Sequence, residues 1–405
     1  MKNKVLIINQ VFWPDQHNTA RHISELSEEL VKRGWNLTAL IGNRSYFDHT
    51  KKLTPKIGVW KGVKYRRVYV PGLNQRKNIQ RLFTSFYLIL NLITWLPRIG
   101  KFDAIIIGTN PPFLYLIIPF IKMFDSKSKI ILWSFDLYPE AIMATGGIIW
   151  KLLGKCVRPI TKFCYNRLDV IADIGPCMRE LLRKYKHSAI EITLTPWSFI
   201  EPVTLPEIED ETRKKLFGNS SLALLYTGTL GIAHKFKEFI KLAQDLRKNK
   251  ISAHICFAGF GNKFENLKIK ISNEDTNISF VGFADNDNEL EKRLSSADIL
   301  LISLKDDWAG ISVPSKFFGA IANGKPVLFA GPENSSISIW INFYKVGFNL
   351  SFYNMDYVIE MLRKFADDKS LLDPIKQNAF ETYNKYFSKK VICDKWSELL
   401  RKIIE

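Results

Sequence analysis

Apolar runs rich in β-branched residues alternate along this chain with stretches whose apolar residues recur every three or four positions. The run "KVLIINQ" is followed by "TARHISELSEELVKRG", and the continuous apolar runs "DAIIIGTN" and "KIILWSFD" come later in the same half. Continuous apolar runs suit parallel strands that are buried on both faces, and the stretches between them suit amphipathic helices. This alternation predicts a doubly wound α/β domain in the first half of the chain.

The pattern breaks at "SFIEPVTLPEIEDETRKKLFGNSS", where two prolines and an acidic cluster indicate a linker. Strand and helix patterns then alternate again from "ALLYTGTLG" onwards, which predicts a second α/β domain. The expected fold is therefore two Rossmann-like, doubly wound domains that face each other across a cleft, where ligands bind beyond the strand ends. The expected divisions are an N-terminal domain at 1–200, a linker at 201–220, a C-terminal domain at 221–385, and a last helix at 386–405 that could pack back on the N-terminal domain.

One long apolar segment raises the question of a membrane span. Leu82 to Leu96 carry no charge, and a second apolar stretch that begins at Pro111 is interrupted by Pro119 and Lys122. A bilayer span needs about 20 consecutive apolar residues, and shorter runs are more often buried or interfacial helices. We expect a hydrophobic face, either in the core or in contact with a membrane, rather than a span.

Charge and cysteine content narrow the class of protein. Lys and Arg exceed Asp and Glu by 58 to 40, so the net charge is +18, which indicates a polyanionic partner: nucleic acid, anionic lipid or a phosphorylated substrate. The five cysteines lack the spacing of a zinc site, which predicts reduced thiols in a cytosolic protein. The opening "MKNKVLIINQ" has a short apolar run, which indicates a first strand rather than a signal peptide.

Three strand-to-helix turns of the second half are rich in glycine or small residues: "YTGTLGIAHK", "FAGFGNK" and "GISVPSKF". Glycine allows close approach of backbone to a ligand, and helix N-termini present free N–H groups to phosphate. Three such turns at one edge of a sheet favour a nucleotide diphosphate site over three unrelated turns. The candidate donor-binding residues are Gly228, Thr229, Gly231, Gly259, Gly261, Asn262, Pro314, Ser315 and Lys316.

Lys316 is the misfit among these residues. Pro314 predicts a helix start and Gly324 a helix end, so Lys316 falls in the first turn, where the helix dipole disfavours a cation. A pyrophosphate bound between the helix and the ammonium would make both interactions favourable. The alternative is a solvated lysine that folds away from the helix end.

The first half offers a second group of candidates. Asn18 or Thr19 can cap the first helix, and Arg21 then lies in its first turn as a possible phosphate ligand, although a plain surface arginine fits as well. Asp136 follows a buried strand, where its carboxylate can bind a sugar hydroxyl, act as a base, or cap the next helix. Glu140 follows four residues later as an acceptor ligand or a helix N-terminal residue favoured by the dipole.

A basic stripe follows these residues. Lys151, Lys155, Arg158 and Lys162 share one face of a helix, although Pro159 is expected to bend or end it. A basic stripe beside an apolar segment suits an anionic membrane surface, and a solvated helix face is the ordinary alternative.

The residues now quoted resemble a known family. "RHISELSEELVKRGWNLTAL", "DLYPEA", "TPWSF", "YTGTLG" and "VPSKFFGAIANGKPVLFAG" are similar to the GT-B glycosyltransferases of family 4. Within that family they resemble the bacterial L-fucosamine transferase and colanic-acid subgroup, which carries a VPSK motif. The resemblance covers nearly the whole chain.

The resemblance implies a retaining glycosyltransferase without a metal or other cofactor. The donor would be a UDP-linked N-acetylated hexosamine or deoxyhexosamine, and the acceptor a polyprenyl-diphosphate-linked saccharide of O-antigen, capsule or exopolysaccharide synthesis. The enzyme would be cytoplasmic and peripherally bound to the anionic inner face of the membrane. Donor binding would fall to the C-terminal domain and acceptor binding to the N-terminal one, with Lys316 and Asp136 as catalytic residues.

Departures from the family pattern leave other functions open. The two glutamates of many family members are replaced here by Ile311 and Gly319, and the usual arginine and lysine near the first donor loop by Thr229 and His234. A nucleotide-sugar 2-epimerase of the same fold and an inactive subunit of a polysaccharide assembly complex are the alternatives. A nucleic-acid-binding protein would explain the charge, but the sequence shows no aromatic-and-basic motif or recognition helix.

Overall fold

The computed structural model describes residues 3–46, 48, 50–73, 78–261, 264–269 and 271–405. The chain divides into two compact units according to its internal contacts. Unit 1 contains Met1–Thr195, Gly310–Ser312 and Ile392–Glu405, and unit 2 contains Pro196–Ala309 and Val313–Val391. Each unit is built around one sheet.

Unit 1 has an eight-stranded sheet in the order β3-β4-β2-β1-β5-β6-β7-β8, in which all neighbouring strands are parallel except the antiparallel pair β3–β4. The central strands are buried apolar runs, as the sequence pattern predicts for a sheet covered on both faces. The strands are β1 (Lys4–Asn9), β2 (Asn36–Gly42), β3 (Ile57–Trp60), β4 (Val63–Val68), β5 (Ala104–Ile107), β6 (Lys129–Trp133), β7 (Val170–Asp173) and β8 (Ile190–Thr193).

The helices of unit 1 include two that continue through a proline. Pro97 lies inside α2 and Pro159 lies inside α5. The expectation that Pro159 ends its helix is therefore wrong. The helices are α1 (Asn18–Lys32), α2 (Asn78–Ile99), α3 (Ile118–Phe124), α4 (Glu140–Thr145), α5 (Ile148–Tyr165) and α6 (Pro176–Arg183), with a 3-10 turn at Leu114–Ile117.

Unit 2 has a six-stranded, all-parallel sheet in the order β11-β10-β9-β12-β13-β14. The strand order reverses between β9 and β12, as it does between β1 and β5 in unit 1, and ligands of such sheets bind at the carboxyl ends beside the reversal. The strands are β9 (Leu222–Thr229), β10 (Ala253–Phe260), β11 (Ile278–Val281), β12 (Ile299–Ser303), β13 (Val327–Ala330) and β14 (Gly347–Leu350).

The range 201–220, which the sequence suggests is a linker, contains helix α7 and belongs to unit 2. Leu216 and Phe217 are buried, and the Glu209 carboxylate accepts a hydrogen bond from the Thr212 N–H as the helix cap. The helices of unit 2 are α7 (Asp210–Phe217), α8 (Lys237–Lys248), α9 (Phe264–Lys268), α10 (Asp287–Ser296), α11 (Lys316–Ala322), α12 (Ser336–Tyr344), α13 (Met355–Asp367) and α14 (Asp373–Thr382), with 3-10 turns at Asp306–Trp308 and Lys369–Leu372 and a π turn at Tyr383–Phe387.

The last helix, α15 (Lys389–Ile404), begins three residues later and ends one residue earlier than the predicted range 386–405. Its residues from Ile392 onwards belong to unit 1. Trp396 is fully buried and packs edge-on against Trp133, with ring centroids 5.2 Å apart. The Trp35 indole N–H donates to Ser397 Oγ at 2.9 Å, and Arg33 forms an ion pair with Asp394. The chain's last residues thus complete the core of its first unit.

Replacement of Trp396 by alanine tests this packing. We expect Trp396→Ala to lower the free energy of unfolding by about 3–5 kcal/mol, because a large buried aromatic side chain leaves a cavity. Urea unfolding followed by circular dichroism measures the loss. The neighbouring exposed Lys395→Ala is the matched control and should change stability by less than about 0.5 kcal/mol. Equal effects of the two substitutions would contradict the packing role.

Candidate active site

The strand-order reversal of unit 2 brings two loops together. After β9 the chain runs through Leu230 to Phe236, and after β12 it runs towards α11. The Lys305 N–H donates to the Ala233 carbonyl at 2.8 Å, and the His234 ring nitrogen Nδ1 lies 2.7 Å from the Ser303 carbonyl oxygen. These bonds fix the β9 loop against the end of β12, beside the start of α11.

Lys316, the first residue of α11, extends its side chain over the end of β9. Its ammonium lies 3.9 Å from the centroid of the Tyr226 ring, donates to the Tyr226 hydroxyl, and donates to the Thr229 carbonyl at 3.1 Å. The Tyr226 hydroxyl in turn donates to the same Thr229 carbonyl at 3.0 Å. The lysine therefore lies against the sheet edge. The alternative of a solvated lysine that folds away from the helix end is wrong.

Burial changes the acid–base behaviour of this lysine. It lowers the pKa of Lys316 to about 7, because the charged form has lost much of its hydration, and the cation–π contact and neutral oxygens only partly replace water. Burial raises the pKa of the Tyr226 phenol, so Tyr226 stays protonated as a donor. An anion beside the ammonium would favour its charged form and raise the pKa again. The Lys316 ammonium is thus a cation whose contacts are an aromatic ring and neutral oxygens, with no negative charge among them.

Gly228 makes room for this side chain. A Cβ atom built on Gly228 would lie 2.8 Å from Lys316 Cε, and the backbone there has φ +115°, which side chains rarely adopt. Gly228 and Tyr226 lie two residues apart on β9, so they share the same face of the strand. The glycine and the tyrosine together form the surface on which the lysine rests.

The other loop glycines lie in different surroundings, which explain why two of these positions require glycine. A Cβ on Gly259 would lie 2.0 Å from the Gly228 carbonyl oxygen, and one on Gly261 would lie 2.7 Å from the Leu230 carbonyl oxygen, so both glycines allow the β9 and β10 loops to pack together. At Gly231, the nearest described atom to an added Cβ would be Thr229 Cγ2, at an ordinary 3.8 Å. Packing within the described residues therefore explains Gly259 and Gly261 and leaves Gly231 available for a ligand.

The remaining candidate donor-binding residues are Pro314, Ser315 and Asn262, and the structure describes the first two. Pro314 and Ser315 immediately precede α11, which begins two residues later than the proline suggests. Both are partly exposed beside Lys316. Asn262 lies outside the described residues.

In unit 1, Asp136 lies beyond β6 at the carboxyl edge of the sheet. Its N–H donates to Thr109 Oγ1 at 3.3 Å, and its backbone pairs with that of Ser312. Burial raises the pKa of its carboxyl to about 6, although the Arg81 guanidinium opposes the shift. The next helix begins only at Glu140, with Pro139 at its cap position, so the alternative role of Asp136 as a helix cap is wrong. A carboxyl with this pKa can take up a proton near neutral pH.

The start of α1 differs from its expected capping. The helix begins at Asn18 itself, and His17 holds the cap position, so neither Asn18 nor Thr19 is the cap residue. Asn18 is exposed, Thr19 is buried, and Arg21 is partly exposed in the first turn. The sequence places Arg21 correctly, and its role as an acceptor ligand stays a prediction.

Glu140 is an internal residue in the structure. Its side chain is buried, Oε1 accepts a hydrogen bond from the Tyr185 hydroxyl at 2.6 Å, and the Arg158 guanidinium lies 3.6 Å away. This contact joins α4 to the chain after α6, and it argues against the predicted role of Glu140 as an acceptor ligand. Sequence reasoning missed it because Tyr185 lies 45 residues further along the chain.

Tyr226 is the site residue that sequence reasoning overlooked. The signal was present in "YTG", because residues two apart on a strand share a face, and Gly228 was already a candidate. Among the described residues, no group of three or more His, Cys, Asp or Glu side chains could hold a metal ion. This edge of the second sheet brings together one lysine, one tyrosine, backbone groups and a glycine.

Comparisons with known proteins bear on both units. Residues 207–382, which include all of the second sheet, match the family described as glycosyl transferases group 1. Over 370 residues the chain is 24% identical to the probable glycosyltransferase WbjE of Pseudomonas aeruginosa, with 85% of each chain covered.

Two solved structures show the fold of the whole chain. WaaG, a glycosyltransferase involved in lipopolysaccharide biosynthesis, matches with a TM-score of 0.63 and 16% identity over 98% of this chain and 99% of that one. Anabaena Alr3699/HepE in complex with UDP and glucose matches with a TM-score of 0.67 and 12% identity over 99% of this chain and 100% of that one. Residues 207–382 are thus similar to the glycosyl transferases group 1 family, and the chain as a whole has the GT-B fold.

Proposed function

We propose that this protein is a retaining glycosyltransferase that moves a sugar from a UDP-sugar to a lipid-linked saccharide in the synthesis of a bacterial surface polysaccharide. The observation that carries the proposal is the Lys316 ammonium, held over Gly228 and Tyr226 at the strand-order reversal of unit 2. A diphosphate supplies the negative charge that this cation lacks. The UDP complex of the HepE structure and the lipopolysaccharide role of WaaG support the same donor and product classes.

In the proposed reaction the acceptor hydroxyl oxygen bonds to the anomeric carbon on the face from which the diphosphate leaves. The bond between that carbon and the diphosphate oxygen breaks, and the hydroxyl proton passes to the departing diphosphate. Charge develops on the leaving group, so a fixed cation beside it lowers the barrier more than it strengthens ground-state binding. Lys316 has this role, and the backbone at Gly231, where the structure leaves room for a ligand, contacts the same phosphates.

Asp136 is the carboxylate we propose for the acceptor side. With a pKa of about 6 this carboxyl is mostly ionised near neutral pH, so it can accept a hydrogen bond that orients the acceptor hydroxyl while the proton passes to the diphosphate. We further propose an N-acetylated hexosamine or deoxyhexosamine as the transferred sugar, no metal or other cofactor, and a polyprenyl-diphosphate carrier on the cytoplasmic side of the membrane. These finer assignments follow from the resemblance of the VPSK segment.

Transfer assays test the proposed function directly. Membranes that carry lipid-linked acceptor are incubated with a panel of labelled UDP-sugars and the purified protein, and product is separated from free sugar. We expect transfer from one donor and a loss of about 10²–10³-fold in kcat for Lys316→Ala, the range found when a charge-stabilising donor is removed. The exposed Lys237→Ala in α8 is the control and should retain full activity. Isomerisation of the free donor, or no turnover with any donor, would support the epimerase or inactive-subunit alternatives instead.

The pH dependence of UDP binding tests the charge on Lys316. Only the protonated lysine attracts the diphosphate, and its pKa in the free protein is about 7. Binding raises that pKa, so affinity is greatest below pH 7 and falls as the pH rises, by up to about tenfold per unit between about pH 7 and 9, where UDP itself is fully ionised. Calorimetry in this range measures the slope. Lys316→Arg should give affinity independent of pH, because arginine stays protonated; a wild-type affinity that is flat over this range rules out the charge switch.

Two glycine substitutions separate fold from ligand contact. Gly228→Ala should destabilise the protein by about 1–3 kcal/mol, because of its positive φ and the displaced Lys316, and it should weaken UDP binding as well. Gly231→Ala should leave stability within about 0.5 kcal/mol yet lower UDP affinity by about tenfold, because the methyl group intrudes where the phosphate lies. Thermal unfolding and calorimetry on the same samples provide both readings. If Gly231→Ala binds UDP as well as the wild type, the phosphate does not lie against this loop.

A further inference from the structure

Helix α5 is divided lengthwise into three sectors. At about 100° per residue, the buried residues Gly154, Thr161, Cys164 and Tyr165 fall within one arc that faces the interior of unit 1. The basic row forms a second arc beside it. Large apolar side chains occupy the rest of the helix, where they are exposed, with Ile148 77% exposed. These residues are Ile148, Ile149, Leu152, Leu153, Ile160 and Phe163.

Helix α2 has a similar exposed apolar stripe. Its exposed apolar residues lie at positions 79, 83, 86, 87 and 90, a helical spacing that places them on one face, and Leu90 is 64% exposed. Leu88 and Leu92, on the other face, are buried in unit 1. The helix from Ile79 to Ile99 is long and apolar enough to cross a membrane by length and composition, and 33% of its most apolar window is buried in the structure.

Helix α3 connects these two stripes. Phe120, Met123 and Phe124 are exposed on one face of this short helix, and Met123 is 66% exposed. Helix α2 contacts α3, and both α2 and α5 contact the turn Leu114–Ile117 that leads into α3. We call the exposed apolar residues of α2, α3 and α5 the apolar face. Single exposed apolar residues are common, but three neighbouring helices with such stripes are typical of an interaction site.

The charges beside the apolar face identify its partner class. Together α2, α3 and α5 contain seven Lys or Arg residues and no Asp or Glu, and two of the seven pair with carboxylates of other elements, Lys122 with Asp169 and Arg158 with Glu140. Lys151 and Lys155 are exposed on the α5 row that borders the apolar arc. A protein interface with such a rim would need an acidic partner surface, whereas a bilayer of anionic lipid offers hydrocarbon and negative headgroups at once. Charge and apolar exposure in the same three helices therefore favour a lipid surface.

We propose that the apolar face of α2, α3 and α5 docks on an anionic lipid bilayer, with its apolar side chains at the acyl boundary and the α5 basic row at the headgroups. The proposal deepens the proposed function and rests on it for the identity of the lipid-linked acceptor. It assigns α2 to the membrane surface and not to a span, because one side of that helix packs into unit 1.

Vesicle flotation tests this docking without any enzymatic assay. The full-length protein is mixed with vesicles of phosphatidylcholine alone or of phosphatidylcholine with phosphatidylglycerol. We expect flotation with the anionic vesicles only, weakened by added salt. Ile149→Glu/Leu152→Glu and Met123→Glu should each lower the bound fraction at least about tenfold, and Lys151→Glu/Lys155→Glu should do the same through charge.

Matched variants in unit 2 control for surface changes in general. Tyr357→Glu replaces an exposed apolar residue, and Lys237→Glu/Lys248→Glu reverses two exposed lysines of α8, so both should float like the wild type. UDP calorimetry on every variant separates the membrane docking from the proposed donor site. If the wild-type protein binds UDP but does not float with vesicles, only the docking is overturned. If it floats but does not bind UDP, the docking stands and the donor site is overturned. Three other results would each overturn the proposed docking. The protein could bind neutral vesicles equally well with and without the charge substitutions. It could resist alkaline extraction, as a protein with α2 as a true span does, or it could form a stable dimer that Leu90→Glu dissociates.

Discussion

The lysine at the start of α11 is the constraint around which the second unit is arranged. An ammonium beside a helix N-terminus and against an aromatic ring is partly desolvated, and among the described residues the contacts of the Lys316 ammonium are a ring, a hydroxyl and a carbonyl. Proteins usually avoid such an arrangement, since a surface lysine can extend into water at little cost. Here the tyrosine ring, its hydroxyl and one carbonyl hold the charge in place, which keeps it ready for a mobile anion. Electrostatic catalysis depends on this kind of preorganisation.

The neighbouring residues follow from that constraint. Gly228 must lack a side chain because the lysine stem passes over it, and Tyr226 must lie two positions earlier to present its ring on the same face. The glycine loops of β9 and β10 pack against each other, because a side chain at Gly259 or Gly261 would meet the backbone of the β9 loop. Two turns that are separate in the sequence thus form one packed unit, with the Lys316 ammonium at its edge.

How much of this could be predicted from sequence depended on the range of the interaction. Strand β1 and helix α15 lie within a few residues of their predicted bounds, because apolar runs and helical periodicity are features of the local sequence. Partners distant in sequence were not predictable: Tyr185 turns Glu140 inward, and α7 packs a supposed linker into unit 2. Helix α5 continues through Pro159 although proline is the residue least favourable in a helix interior, and the local sequence gives no sign of this.

The distribution of charge separates the two roles that a basic protein can have. Seven of the 58 Lys and Arg residues lie in α2, α3 and α5, which contain no Asp or Glu, and those of α5 border apolar side chains on an exposed surface. Lys316 is different in kind, since it is one cation in a partly buried setting with a pKa lowered to about 7. Hydrated surface lysines act together at long range and are screened by salt, whereas a desolvated lysine acts at contact distance and responds to pH. On the two proposals made above, the overall charge therefore serves two anionic partners of different chemistry, a surface and a diphosphate, and composition alone could not distinguish them.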